Sequence, residues 1–141
     1  MYNHSMAIEW IKASAIDLKV IQEIVDNESL TSMTAFHSQQ SIEKSLKAIL
    51  EYNNQDVPKI HHIKKLFKLV EKYIEITVDI DLVMKMDSLY IDSRYPGEMG
   101  LLPNGTPTLE DAKEFYEFAL EISDKVYNIL KIEKDIEVWK S

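Results

Sequence analysis

Residues 8–25 place Ile8, Ile11, Ala15, Leu18 and Val25 at spacings of three, four, three and seven, with Ile21 and Ile24 widening the stripe. That period is the one of a helix with a single apolar face. Asn27-Glu28-Ser29 interrupts it, and Ser29 or Thr31 is suited to cap the next helix. The second helix is expected from about Ser32 to Tyr52, with Ala35, Ile42, Leu46, Ile49 and Leu50 on its apolar side. Asn53-Asn54-Gln55-Asp56 breaks the pattern, and Pro58 fits the first turn of a third helix carrying Ile60, Ile63, Phe67, Val70 and Ile74. The β-branched run from Ile74 to Val78 ends that helix in a short linker. A fourth segment, about Ile80 to Asp92, carries Leu82, Met86 and Leu89.

After a loop, Thr108 opens the last helix, with Glu110 and Asp111 in the first turn where carboxylates meet the positive end of the helix dipole. Ala112, Phe115, Ala119, Ile122, Val126 and Ile129 keep the three-four spacing, and Ile132, Ile136 and Trp139 prolong it. No stretch alternates with the period of two that marks a strand. Short connections between amphipathic helices predict an all-α domain, an up-and-down bundle of four long antiparallel helices plus one shorter helix. One domain is expected over 1–141, with a core over about 7–131 and a C-terminal helical extension over 132–141.

Composition fits that picture: of 141 residues, 45% are hydrophobic and 28% charged, a globular balance with enough chain for one core. No apolar run reaches the roughly 18 residues of a membrane span, and no basic-then-apolar leader opens the chain. The absence of cysteine removes disulfides and thiolate metal sites, and with them the signature of an oxidising compartment, so a cytoplasmic location is expected. A net charge of −8 disfavours general nucleic-acid binding, which rests on basic residues neutralising phosphates.

Candidate chemistry is concentrated in three places. The only arginine, Arg94, opens Arg94-Tyr95-Pro96-Gly97, at the entrance to the segment that holds all three glycines and three of the four prolines. A guanidinium offers a rigid fork of donors for carboxylate or phosphate that the fifteen lysines cannot copy, and Tyr90, Tyr95 and Asp87 are its candidate neighbours. An ordinary salt bridge from Arg94 to Asp87 or Asp92 at the end of a helix is the plainer alternative. On the second helix His37, Gln40, Lys44 and Lys47 fall on one stripe, roughly opposite Ile42, Leu46 and Ile49. A solvated face accounts for that stripe, yet His37-Ser38-Gln39-Gln40 are mediocre helix formers that packing or recognition has to justify. On the third helix His61, Lys64, Lys65, Lys68 and Lys72 gather on one side, either solvated or set to hold a phosphate or an acidic partner. His61 and His62 are adjacent and would point apart on a helix, and His37 has no ligand one turn away, so no metal site and no cofactor are expected.

The run Phe36-His37-Ser38-Gln39-Gln40-Ser41-Ile42-Glu43-Lys44-Ser45-Leu46-Lys47-Ala48 resembles the HEPN family of small helical proteins. Pro58, His61, Ile63 and Leu66 look like that family's proline–histidine–leucine segment. Tyr90-Ile91-Asp92-Ser93-Arg94-Tyr95-Pro96 is similar to its tyrosine-isoleucine-x-x-arginine-tyrosine-proline motif, followed by the acidic helix start Leu109-Glu110-Asp111-Ala112. The resemblance implies a bundle of four or five antiparallel helices, a homodimer, and pairing with a small nucleotidyltransferase as a toxin–antitoxin system. The chemistry of Arg94 adds the expectation of a nucleotide or phosphate site near it, with His37, Gln40, Lys44, His61, Lys65 and Lys68 as further candidates for binding ligand or partner. Many relatives are metal-independent ribonucleases that carry a histidine four to six residues after the arginine. Here residues 95–101 contain none, and no histidine follows His62. RNA cleavage without metal needs a proton-transfer group, so the sequence points to a binding module. The alternative is a ribonuclease whose fold brings His37 or His61 to Arg94.

Overall fold

The computed structural model describes the backbone of residues 4–93 and 106–130 and the side chains of 4–89 and 106–130. Among the described residues every regular element is helical: α1 (Ser5–Ile24), α2 (Thr31–Tyr52), α3 (Ile63–Val70), α4 (Ile80–Ser93) and α5 (Leu109–Leu130). α2 is the central helix. It packs most extensively against α1, then against α5, and also touches α4 and α3. Its apolar stripe, Ile42, Leu46 and Ile49, lies fully inside a core shared with Ile11 and Ile21 of α1, Met86 of α4 and Phe115 and Ile122 of α5.

A helix surrounded in this way must bury polar positions too, and α2 does. Ser14 on α1 lies 2.8 Å from the hydroxyls of both Ser41 and Ser45, and donates to the Ser41 carbonyl at 2.9 Å. Three small hydroxyl residues at the contact leave no bulky side chain between the two helices and satisfy one another. Ser38 is also buried and turns its hydroxyl back onto the Thr34 carbonyl at 2.7 Å, the usual way a serine is tolerated inside a helix.

The ends of the elements depart from the sequence expectations in three places. Neither Ser29 nor Thr31 caps α2. Asn27 instead accepts the Ser29 N–H at 2.8 Å and opens a single 3-10 turn, Glu28–Leu30, that runs straight into the helix. α2 ends at the polar break, with Asn54 in the left-handed region at φ 59° and Gln55 N–H bonded back to the Leu50 carbonyl at 2.9 Å. The third helix is only eight residues long, so Pro58 and Ile60 precede it and Ile74 follows it. His62 is extended, at ψ 117°, and the first N–H groups of α3 are capped by a side chain from another helix, which fixes the start at Ile63. Over the described residues α1, α2, α3, α4 and α5 span 20, 22, 8, 14 and 22 residues, all of them helical.

At the other end of the chain the expectation holds. The Thr108 hydroxyl accepts the Asp111 N–H at 3.0 Å, and the Asp111 carboxylate accepts the Thr108 N–H at 3.2 Å, a reciprocal capping box at the start of α5. The extension over 132–141 lies outside the described residues.

Candidate binding site

The polar stripe expected on α2 splits into two clusters, each organised by a buried carboxylate. On the α1 side, Asp17 lies with one oxygen 2.8 Å from His37 Nδ1 and the other 2.7 Å from Lys44 Nζ. Asp17 is buried, whereas His37 and Lys44 reach solvent with 20% and 26% of their side chains exposed. A carboxylate only accepts, so this pairing places the proton on Nδ1 and turns Nε2 away from the carboxylate. His37 also meets the Phe36 ring edge-on at 5.3 Å.

On the neighbouring stripe Glu43 is the hub. Lys47 Nζ donates to it at 2.9 Å, Gln40 Nε2 at 3.1 Å, and His61 Nδ1 lies 3.2 Å away. The side chains of Lys47 and Glu43 are each only 5% exposed, so this is a buried ion pair and not part of a solvated face. Such a pair stands against its desolvation only if the remaining donors and acceptors are met. Gln40 and His61 add to Glu43, and the Lys47 ammonium lies 5.5 Å from the Trp10 ring centre on α1.

Gln39, fully buried beside this cluster, joins α2 to the next two elements. Its amide donates to the His61 carbonyl and lies 3.4 Å from Asp87 on α4. Asp87 accepts the Ile63 N–H at 2.8 Å and the Lys64 N–H at 3.1 Å, so a carboxylate of α4 caps α3. A negative side chain at those free N–H groups is favoured by both hydrogen bonding and the helix dipole. His62 Nδ1 is 3.9 Å from the same carboxylate. The two adjacent histidines thus serve different carboxylates, His61 on Glu43 and His62 on Asp87.

The structure therefore brings together Gln40, His61 and Asp87 through Glu43 and Gln39, and unites His37 with Lys44 through Asp17. It leaves Lys65 and Lys68 apart from both clusters: they are exposed on the outer side of α3, and Lys68 pairs with Glu71 at 3.6 Å. Tyr90 lies in α4 with its side chain outside the described residues, and Arg94 and Tyr95 lie outside them altogether. The organising carboxylates Asp17 and Glu43 were not among the candidates. The signal for Glu43 is its position midway between Gln39 and Lys47 at four-residue spacing, and for Asp17 a carboxylate three positions from Ser14 and four from Ile21.

A family model described as HEPN domain matches residues 7–132, a span that includes both clusters, α1 from its third residue onward and the whole of α2 to α5. Neither the curated proteins nor the solved structures contain a significant match. With the family model covering nearly the whole chain, the protein belongs to the HEPN domain family.

Proposed function

We propose that this HEPN domain is a dimeric binding module that works with a nucleotidyltransferase in a toxin–antitoxin pair in the cytoplasm and holds a nucleotide or phosphate near Arg94. The observation that carries this reading is the state of the titratable groups within the bundle. Asp17 is engaged by His37 and Lys44, Glu43 by Lys47, Gln40 and His61, and Asp87 by two backbone N–H groups. Carboxylates engaged in this way lock helices together, and none is left free to act as a base on a substrate. The missing histidine after Arg94 agrees. The polar contacts that join the middle of α2 to the start of α3 and to Asp87 of α4 make a support for the segment that follows α4 in sequence from Arg94.

Calorimetric titration of ATP, and of a co-expressed nucleotidyltransferase, into wild type and Arg94→Lys tests the reading. Lysine keeps the charge but loses the two-pronged geometry, so affinity is expected to fall by about tenfold or more while the melting temperature holds. Equal affinities, with a lowered melting temperature, would return Arg94 to a purely structural role. Light scattering that shows a monomer at micromolar concentration removes the dimer.

A second reading has one specific observation in its favour. His61 is half-exposed and its Nδ1 is oriented by the buried Glu43, the carboxylate–imidazole pairing that positions a general base. In that reading the protein is a metal-independent ribonuclease in which His61 or His37 acts with Arg94. RNA cleavage in the presence of chelator, lost in His61→Ala or His37→Ala, would establish it and displace the binding module.

A further inference from the structure

The outer side of α3 carries a groove that neither cluster uses. It has a volume of about 610 Å³, and its walls include Val70, Ile74, Ile76, Val78 and Ile80. Three lysines, Lys64, Lys65 and Lys68, line the same groove together with Glu71. A second depression of about 280 Å³ shares Lys64 and Lys65 and is lined by Met84, Ser88, His62 and Asp87. Ile80 and Met84 stand one turn apart on α4 with 48% and 49% of their surface exposed, so an apolar shelf runs from one depression toward the other.

We infer that this groove is a docking site for an acidic amphipathic helix of a partner protein. Charge selects the occupant. The chain carries a net charge of −8, and Glu75, Asp79 and Asp81 alternate with the residues of the linker wall, yet the residues that line the groove include three lysines and Glu71, so an acidic partner repelled elsewhere is drawn here. Shape selects a helix over a single anionic headgroup. An aliphatic groove and a smaller depression, lined by Met84 and mostly polar residues, flank one lysine wall, and Lys64 and Lys68 are spaced one helical turn apart. An incoming helix would set apolar side chains at three- and four-residue spacing along the shelf and carboxylates on its flanks. This inference goes beyond nucleotide binding and stands whether or not the partner is a nucleotidyltransferase.

The test uses the full chain and two synthetic peptides of about 18 residues, five turns of helix. One bears leucines at helical spacing with glutamates elsewhere, and its twin replaces each glutamate by lysine. Fluorescence anisotropy is expected to show the acidic peptide binding about tenfold or more tighter than the twin, with the difference shrinking at 1 M salt. Lys64→Glu/Lys65→Glu/Lys68→Glu should reverse the preference, since all three residues are exposed and the fold does not depend on them. Ile80→Asp, at an exposed position, should weaken binding by about fivefold or more with the melting temperature unchanged. Absence of binding at about 1 mM peptide, or equal affinity for both peptides, overturns the inference. Dodecanoate binding that depends on the same lysines in the absence of peptide binding would assign the groove to a single-headed amphiphile. Concentration-dependent self-association abolished by the triple variant would assign it to a second copy of the chain. Each of these outcomes overturns the partner helix.

Discussion

Asp87 of α4 lies 2.8 Å from the backbone nitrogen of Ile63 and so sets where α3 begins. The same carboxylate takes the Lys64 N–H at 3.1 Å, which leaves α3 without need of a cap from its own sequence. Asp87→Ala removes the acceptor from two N–H groups at once, one of them buried, and is expected to cost about 2–3 kcal/mol of stability in urea unfolding. Asp87→Asn keeps one acceptor oxygen and should cost less. Hydrogen exchange separates this from a general loss of packing, because the amides of Ile63 and Lys64 should lose protection before those of α5.

The Asp17 cluster predicts an asymmetry between hub and spokes. Removing His37 or Lys44 leaves Asp17 with one partner. Asp17→Ala leaves both donors without their acceptor at a helix interface, and is expected to cost about 1–3 kcal/mol, more than either partner alone. A double-mutant cycle on Asp17 and Lys44 should return a coupling of about 0.5–3 kcal/mol, whereas Asp17 and Lys68, which lies apart from both clusters, should be additive. Additivity within the cluster would mean that solvent already screens these contacts.

Ser14 makes the tightest test of the α1–α2 contact. Ser14→Ala deletes three hydrogen bonds but leaves Ser41 and Ser45 able to turn toward other acceptors, so a cost of about 1 kcal/mol is expected. Ser14→Leu forces a branched side chain between the two helices and should cost clearly more, about 1–3 kcal/mol beyond the alanine variant. Thermal unfolding of the two variants decides the order. A leucine variant as stable as alanine would show that the helices can separate there without penalty.

The helices themselves were legible because their apolar residues recur at the helical period, and α4 begins where Ile80 was read as its start. The limits of α3 were not legible. Periodicity runs from Ile60 to Ile74, but the chain is helical only where Asp87, remote in sequence, supplies the missing cap. The polar stripe of α2 was legible as a composition and misread as one surface. Its residues alone do not reveal that α1 and the segment before α3 cover it, because that depends on Asp17 and His61, twenty or more positions away from their partners or nearly so. Lys47 shows the point: a lysine is nearly always solvated, and here a buried glutamate four residues earlier holds it inside.

The capping box of α5 gives a prediction whose sign is fixed by titration. Burial works against ionisation of Asp111, but the Lys85 ammonium at 3.0 Å and the bonds with Thr108 outweigh it and hold the carboxyl below its ordinary range. A carboxyl more acidic in the folded than in the unfolded chain contributes stability that is complete above its unfolded value, about 3.9, and is lost as pH falls through the folded one. Asp111→Ala should therefore cost about 1 kcal/mol at pH 7, and the gap to wild type should close as pH drops below the usual carboxylate range. Thr108→Ala serves as the control, since a hydroxyl does not titrate there and part of its cost should persist in acid. Lys85→Met should shrink the pH dependence of wild type without removing the cap, because the Thr108 bonds remain. Urea midpoints for the four proteins between pH 7 and pH 2.5 read all three effects. An Asp111→Ala penalty that stays constant over that range would mean that the carboxylate's charge contributes nothing to the start of α5.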